Sequence, residues 1–189
     1  KNENINNKKK SLVLCGNTVV DSLYQNLNIA KNKNILDKLC LKKRKYFLVT
    51  LHRPETVDNF KRLSDLLKTL QLLATSYKIP VIYPMHPRTK KNIVNNNIRI
   101  PNNIKIIDPL SYFNFLNLES NAKIILTDSG GVQEEACVLK VPCITVRNNT
   151  ERPVTVEAGT NHLVGTDPEK VMSVFHRILN GTIKKGHTP

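Results

Sequence analysis

The stretch KIILTDSGGVQEEACVLK, residues 123–140, predicts the fold of this chain. Its opening segment, KIILT (123–127), is a continuous apolar run, which is typical of a strand buried on both faces. A turn with two glycines, DSGG (128–131), follows, and VQEEACVLK (132–140) has the composition of a helix. A buried strand, a glycine turn and a helix in this order indicate part of a β–α–β unit in a parallel sheet.

The same alternation of strand and helix runs along most of the chain. Further strands are predicted at 46–51, 81–85, 104–108, 143–146 and 162–165, and helices at 59–77, 89–97, 112–120 and 168–180. We therefore expect an α/β fold, an open, Rossmann-like, doubly wound parallel sheet over residues 11–182. Asp58 is the predicted N-cap of helix 59–77. The Lys/Asn-rich segment 1–10 is expected to be disordered and 183–189 to be a tail.

The strong positive charge does not by itself indicate a nucleic-acid partner. The formal net charge is +14, but lysine outnumbers arginine by 21 to 8, and asparagine and isoleucine are abundant as well. These residues share A/T-rich codons, so coding bias explains the excess. Aromatic residues make up only 5% of the chain and do not alternate with the basic runs, so no stacking platform for bases is predicted. We expect no nucleic-acid partner.

Apolar run lengths and cysteine positions indicate a protein of a reducing compartment. No apolar run approaches the length that spans a bilayer, and the first ten residues are polar. We expect a cytoplasmic chain without a membrane partner. The four cysteines form no CxxC pair, and no histidine stands at metal-ligand spacing from them. We expect reduced cysteines, with Cys15, Cys137 and Cys143 in or beside the core, and neither a metal site nor a cofactor.

Polar segments rich in His, Arg, Ser or Gly follow four of the predicted strands. They are HRPETVDN (52–59), HPRT (86–89), DSGG (128–131) and RNNTERP (147–153). In open α/β sheets, ligands bind beyond the carboxyl ends of the strands. These four segments are therefore the candidate site.

The glycine turn fits two interpretations. Glycines let a ligand approach the backbone closely, and the free N–H groups at a helix start, with the helix dipole behind them, favour a phosphate or diphosphate. The alternative is an ordinary strand-to-helix turn capped by Ser129. Glu134 and Glu135 follow one turn later, where an acid either complements the helix dipole or accepts hydrogen bonds from ribose hydroxyls.

The histidines and arginines at the other strand ends also leave two interpretations open. His52 directly follows LVTL and either has a structural role or donates a hydrogen bond to a phosphate. Arg147 and Arg152 suit bidentate phosphate contacts, and the alternative is a surface ion pair involving Glu151. His86 lies between two prolines, and this rigid turn indicates a positional role.

Several long motifs together resemble one protein family. They are GNTVVDSL (16–23), LVTLHRPETVDN (48–59), YPMHPRT (83–89), LTDSGGVQEEA (126–136) and VRNNTERPVTVEAGTNHLVGTD (146–167). In order and spacing they resemble UDP-N-acetylglucosamine 2-epimerases, and the resemblance covers about residues 11–180.

The resemblance implies a fold, a reaction and partners. Members of that family have two Rossmann-like domains in the GT-B arrangement, with the active site between them. This chain resembles only the C-terminal, nucleotide-binding half, so we expect the N-terminal catalytic domain to be absent and the chain alone to be inactive. The family eliminates UDP from UDP-GlcNAc to give 2-acetamidoglucal and adds it back to give UDP-ManNAc, for cell-surface polysaccharide synthesis. A related branch hydrolyses the substrate, and family members usually form homodimers.

The resemblance also implies roles for individual residues. His52 matches the histidine that contacts the UDP phosphates and assists departure of the leaving group. Further UDP-binding positions are implied at Ser129, Gly130 and Gly131 for the diphosphate, Glu135 for the ribose, Phe115 for uracil, and Arg53 and Arg152 near phosphate or in supporting ion pairs. Glu134 is left as a charge near a helix start.

Some positions depart from the family pattern. Pro54 stands where another charged residue is frequent, and Val154 replaces the acid of the frequent TERPE. Nucleotide binding is expected to tolerate these changes, whereas they put in doubt the allosteric activation known for some members. Two alternatives stay open, namely one half of a GT-B glycosyltransferase and a non-catalytic module that binds UDP-sugars.

Overall fold

A computed structural model describes residues 16–183 together with residues 186 and 187. The segment 1–10, Cys15 and part of the predicted tail lie outside the described residues. Within them, no helix combines the length and apolar character needed to cross a bilayer.

One parallel sheet organises the described chain. Its strands are β1 (Phe47–Thr50), β2 (Val81–Pro84), β3 (Ile104–Ile107), β4 (Ile124–Thr127), β5 (Cys143–Thr145) and β6 (Asn161–Leu163). They are arranged in the order β3-β2-β1-β4-β5-β6, and every neighbouring pair is parallel. The first three strands extend the sheet in one direction and the last three in the other, which confirms the doubly wound fold. The strand order reverses between β1 and β4, which is where such sheets bind ligands.

Helices connect the strands and cover both faces of the sheet. They are α1 (Thr18–Lys31), α2 (Ile35–Lys38), α3 (Pro54–Val57), α4 (Phe60–Tyr77), α5 (Pro87–Asn95), α6 (Tyr112–Asn121), α7 (Gly130–Val138), α8 (Pro153–Glu157) and α9 (Pro168–Leu179). The helices predicted from the sequence lie within three residues of α4, α5, α6, α7 and α9. The long helix α1, which packs on α6 and α7, was not predicted.

Two apolar layers bury the sheet on its two faces. On one face, leucines of α4 pack with Phe175 of α9 against alternate strand residues such as Phe47 and Val49. On the other face, residues of α2, α6 and α7 pack against Tyr46 and Leu48. Neighbouring residues of one strand therefore enter opposite layers, which explains why the strands are continuously apolar. Cys137 and Cys143 are buried free thiols, as expected.

The prediction for the N-cap of α4 was wrong. Asn59 caps the helix, since its side-chain oxygen accepts a hydrogen bond from the Arg62 N–H at 3.0 Å. Asp58 instead accepts hydrogen bonds from Arg88 Nε at 3.0 Å and from Asn92 at 2.8 Å. The Arg88 guanidinium holds the pKa of Asp58 below its usual value. The carboxylate thus ties the start of α4 to α5 instead of capping a helix.

Candidate functional site

The polar segments that follow β1, β4 and β5 lie side by side, because these strands are neighbours in the sheet. His52 and Arg53 follow β1, residues 128–131 follow β4, and the loop 147–152 follows β5. The fold therefore brings these three segments together around the point where the strand order reverses, and the fourth segment, 86–89, follows β2 on the other side of β1.

Asp128 joins the first two segments. Its fully buried carboxylate accepts hydrogen bonds from the backbone N–H of His52 at 3.0 and 3.2 Å and from that of Arg53 at 2.9 Å. The His52 ring nitrogen Nδ1 lies 3.3 Å from the same carboxylate, while the side chain is 41% exposed. Asp128 thus orients both the loop and the imidazole. Sequence reasoning missed this role, although an acid directly after an apolar strand was a visible signal.

The glycine turn leaves the start of α7 open. Ser129 occupies the N-cap position, but its side chain makes no capping hydrogen bond to the described helix. A Cβ added at Gly130 would come no closer than 3.8 Å to any neighbour, and one at Gly131 would meet no described atom within 4 Å. Packing within the protein therefore does not require glycine at either position. The first N–H groups of α7 have no helical partner and point out of this open end.

A buried amide links the glycine turn to the loop after β5. Gln133 donates a hydrogen bond from Nε2 to the Ser129 carbonyl at 3.1 Å. Its side-chain oxygen accepts hydrogen bonds from the Thr150 hydroxyl at 2.5 Å and from Asn161 at 3.2 Å. The Thr150 hydroxyl oxygen accepts in turn from the Arg152 N–H at 3.0 Å. This chain of hydrogen bonds fixes Arg152 relative to the start of α7, and it was not predicted.

Arg147 forms an ion pair within its own loop. Its guanidinium makes two hydrogen bonds to the Glu151 carboxylate, of 2.7 and 2.8 Å, and the Arg147 side chain is only 12% exposed. These bonds lower the pKa of Glu151 to about 2. Arg147 therefore closes the loop on itself, which matches the ion-pair interpretation rather than direct contact with a phosphate. The nearby positive charge of Arg53 also lowers the pKa of Glu151.

Glu134 is a buried anchor, so its assignment as a mere charge near a helix start was wrong. Its oxygen Oε1 lies 3.0 Å from Arg152 Nε in an ion pair and accepts a hydrogen bond from Asn17 at 2.8 Å. Glu134 therefore connects α7 to the N-cap of α1 and to Arg152. The Arg152 guanidinium lies beside Gly130, with Nε 4.0 Å from the position of an added Cβ.

An apolar hollow of about 240 Å³ adjoins His52 at the ends of β1 and β2. Phe115 of α6 and Leu110 line it together with His52 and His86. The two imidazole rings are 6.2 Å apart. His86 caps α5 by accepting a hydrogen bond from the Arg88 N–H at 3.2 Å, in agreement with the positional role expected from the sequence. A larger hollow, of about 510 Å³, lies at the opposite ends of β5 and β6, away from these residues.

Glu135 faces α6 rather than the loop after β5. Its side chain is half-buried beside Tyr112 and Glu119, and burial raises its pKa above the usual value. Burial and the Glu135 charge together raise the pKa of Tyr112 to about 12. The structure thus separates the two adjacent acids, since Glu134 contacts Arg152 and Glu135 contacts α6.

Comparison with known proteins assigns the family. The family model described as UDP-N-acetylglucosamine 2-epimerase matches residues 2–188. The chain belongs to this family. It is 46% identical over 187 residues to the UDP-N-acetylglucosamine 2-epimerase of Methanococcus maripaludis, covering 94% of this chain and 50% of that protein. It is 48% identical over 180 residues to the enzyme of that name from Methanocaldococcus jannaschii, covering 92% and 49%.

Solved structures of epimerases share this fold. The crystal structure of the Methanocaldococcus jannaschii UDP-GlcNAc 2-epimerase in complex with UDP-GlcNAc and UDP matches with a TM-score of 0.82 and 47% identity, over 94% of this chain and 51% of that one. The Neisseria meningitidis enzyme bound to UDP-GlcNAc matches with a TM-score of 0.75 and 31% identity, over 89% and 47%. This chain spans about half the length of these relatives.

Proposed function

We propose that this chain is the nucleotide-binding half of a UDP-GlcNAc 2-epimerase and that it holds the diphosphate of the nucleotide sugar at the start of α7. The observation that carries the proposal is the Asp128 carboxylate, which ties the His52–Arg53 segment to an open helix start with two glycines. The relatives that were solved with UDP-GlcNAc support the choice of ligand.

The diphosphate would bind to backbone N–H groups and nearby cations. The N–H groups at the start of α7 and the positive end of its dipole suit an anion. Because Gly130 and Gly131 carry no side chain, phosphate oxygens can approach the backbone directly. The Ser129 hydroxyl and the Arg152 guanidinium add donors at the same place, and Arg53 adds positive charge from the β1 side.

His52 would assist the departure of UDP. The Asp128 carboxylate faces Nδ1 of the ring, so His52 in its protonated form would donate Nδ1–H to Asp128 and Nε2–H to a phosphate in the cleft. When the bond between C1 of the sugar and the phosphate oxygen breaks, negative charge grows on the departing UDP. A donor already in position stabilises that charge where it develops. The same group would support the return of UDP to C1 in the reverse step.

The uridine would occupy the apolar hollow beside α6. Phe115 and Leu110 offer an apolar surface suited to the flat face of uracil, with His52 at the end toward the diphosphate. Glu135, in the second turn of α7, would accept hydrogen bonds from the ribose hydroxyls, the role that an acid has in dinucleotide-binding folds. The nucleotide would then run from α6 to the start of α7.

The chemistry at C2 of the sugar would come from a second domain. Since the chain spans about half the length of its relatives, we infer that an N-terminal domain completes the cleft and exchanges the C2 proton, and that this chain alone is inactive. We propose a cytoplasmic location, which the free thiols of Cys40, Cys137 and Cys143 support. Homodimer formation and a role in supplying cell-surface polysaccharides are parts of the same proposal.

Calorimetry tests the binding step, and isotope exchange tests the reaction. We expect UDP to bind the 189-residue chain and ADP to bind more weakly, and failure of UDP to bind would contradict the proposal. For the reaction, the chain is joined to the part of the Methanocaldococcus jannaschii relative that it does not span. In deuterated water this fusion should convert UDP-GlcNAc to UDP-ManNAc with deuterium at C2. UDP binding with transfer of the sugar to an acceptor, and hydrogen retained at C2, would instead indicate a glycosyltransferase.

A further inference from the structure

Glu119 is a fully buried acid for which the function proposed above has no role. It lies in the last turn of α6 with none of its surface exposed. Neither of its carboxyl oxygens accepts a hydrogen bond from any donor in the described chain. Its close polar neighbour is Glu135 of α7, a second carboxyl group within hydrogen-bonding reach.

The groups around this pair are neutral or acidic. Tyr112 of α6 faces Glu135, and Ser22 of α1 faces Tyr112. Cys143 of β5 lies near Glu119, and Cys137 of α7 lies near Cys143. Among the described residues, Glu134 is the other charge that acts on Glu135, and it is already paired with Arg152 and Asn17. Among the described residues, no cation forms an ion pair with Glu119.

Two neighbouring carboxyl groups, one fully buried and one half-buried, are expected to share a proton. Burial of an ionised carboxylate without a donor or cation costs several kcal/mol, so such a group takes up a proton instead. Two adjacent carboxylates also repel each other, which favours protonation of one of them. Burial and the neighbouring charge raise the pKa of Glu119 well above its usual value, and burial raises that of the more exposed Glu135. The proton therefore resides mainly on Glu119.

We propose that Glu119 is a neutral carboxylic acid that donates its O–H to Glu135 and so positions the Glu135 carboxylate for the nucleotide. With the Tyr112 hydroxyl as a second donor, Glu135 stays ionised and fixed in orientation while its exposed part faces the ligand. Glu119 is thus a positioning residue, which acts through Glu135. This inference rests on the ribose contact proposed for Glu135.

The proposal implies a dependence of binding on pH. At high pH, loss of the Glu119 proton removes one donor and adds a second negative charge beside Glu135, so UDP affinity falls. At low pH, protonation of Glu135 removes the acceptor for the ribose hydroxyls, so UDP affinity falls again. The two titration steps are properties of the coupled pair of carboxyl groups rather than of either residue alone.

The experiment compares Glu119→Gln, which keeps a donor but cannot ionise, with Glu119→Met, which has similar volume and no donor. Exposed Glu169, in the first turn of α9, provides the matched control Glu169→Gln. All are made in the 189-residue chain. Infrared spectroscopy of the unliganded proteins records the carbonyl stretch of a protonated carboxylic acid at neutral pH, and calorimetry measures UDP affinity against pH.

We expect the carboxylic acid band in the wild type and the control, and its loss from both Glu119 variants. UDP affinity of the wild type should fall on the alkaline side, whereas that of Glu119→Gln should not. Glu119→Met should bind UDP about tenfold more weakly at neutral pH. If Glu119→Met fails to fold, the alkaline profile of Glu119→Gln still decides the question.

A missing infrared band, or an alkaline profile unchanged in Glu119→Gln, would overturn the positioning role of Glu119 even if UDP binds. If UDP binds to none of the proteins, the proposed function fails and takes the ribose contact of Glu135 with it. The infrared band then reports separately on whether Glu119 holds the proton, so failures of the two proposals are distinguishable.

Discussion

The Asp128 carboxylate holds His52 both by its backbone and by its ring. It accepts the His52 N–H at 3.0 and 3.2 Å and lies 3.3 Å from Nδ1 of the imidazole. The two residues follow neighbouring strands on either side of the point where the strand order reverses. The orientation of the histidine is therefore fixed by the same segment that contains the glycine turn.

Asp128→Asn is expected to lower both stability and UDP affinity. The amide keeps one oxygen acceptor but turns an NH₂ group toward N–H donors, which leaves a buried donor unsatisfied. We expect a loss of about 1–3 kcal/mol in the free energy of unfolding, measured by urea denaturation, together with weaker UDP binding. The control is Asp65→Asn, at a partly exposed acid paired with Lys68 at 3.6 Å, which should change stability by less than about 0.5 kcal/mol. Equal effects of the two substitutions would contradict the role of Asp128.

The sequence allowed the fold and the location of the site to be predicted. Continuous apolar strands alternating with helices are a local pattern, and both KIILT and YFLVTL coincide with central strands of the sheet. Since parallel strands align their carboxyl ends, the polar segments after them could be placed together without knowledge of the strand order. Helix α1 was missed because only Leu23 and Ala30 of its residues are buried, which leaves little apolar periodicity.

Contacts between residues distant in sequence could not be predicted. Asp128 binds a loop 76 residues away, and Glu134 binds Asn17 across 117 residues. Nothing in the local pattern distinguishes Glu134 from Glu135, because the two acids are adjacent residues of α7. The packing of that helix decides which acid faces the arginine and which faces α6. The burial of Glu119 depends likewise on how α6 packs beside α7. These assignments needed the tertiary structure.

Gly131→Ala is expected to stabilise the chain and to weaken UDP binding. The position is helical and has space for a side chain, and alanine is favoured over glycine in helices by up to about 1 kcal/mol. The added methyl group would occupy the surface proposed for the diphosphate. Thermal unfolding and UDP calorimetry on the same samples measure the two effects.

The matched control for this substitution is Gly181→Ala. Gly181 has φ of +69°, in the left-handed region that alanine adopts with strain, and it lies beyond the end of α9. We expect Gly181→Ala to destabilise the chain by about 1 kcal/mol without changing UDP affinity. If Gly131→Ala leaves UDP affinity intact, the diphosphate does not bind at the start of α7.

Arg147→Gln tests whether the loop after β5 must be closed for binding. Without the Arg147–Glu151 pair, the loop that carries Arg152 loses two hydrogen bonds, and we expect UDP affinity to fall about fivefold, or roughly 1 kcal/mol. Arg88→Gln removes a comparable pair with Asp58 at the start of α4 and should leave UDP affinity unchanged. A similar loss in both variants would indicate a general effect of lost ion pairs.

The acid stability of this loop follows from the same pair. The pKa of Glu151 is lowered to about 2. The stabilisation of the folded loop by the ionised Glu151 carboxylate is therefore present above the usual carboxyl range and is lost as the pH falls through about 2. We expect NMR signals of residues 147–152 in the wild type to keep their neutral-pH positions down to about pH 3. In Arg147→Gln, the signal of the Glu151 side chain should titrate in the ordinary range. An ordinary titration in the wild type would show that the pair does not form in solution.

The buried acids predict an opposite dependence of stability on pH. The folded-state pKa values of Glu119 and Glu135 are raised. Their contribution to the free energy of unfolding is therefore complete below the unfolded-state pKa of 4.5 and is lost as the pH rises through the folded-state pKa values. In urea denaturation between about pH 5 and pH 9, the unfolding free energy of the wild type should fall relative to that of Glu119→Gln. A constant difference between the two proteins would show that Glu119 does not change protonation in this range.

Titration of the ¹⁵N-labelled chain with UDP, followed by amide NMR, tests the proposed binding site most directly. We expect saturable shifts of the backbone amides of Ser129, Gly130 and Gly131, with accompanying shifts of the His52 ring and of Glu135. The amides of residues 129–131 should shift less in Gly131→Ala at equal UDP concentration. Saturable binding that shifts other amides while residues 129–131 keep their positions would contradict a diphosphate site at the start of α7.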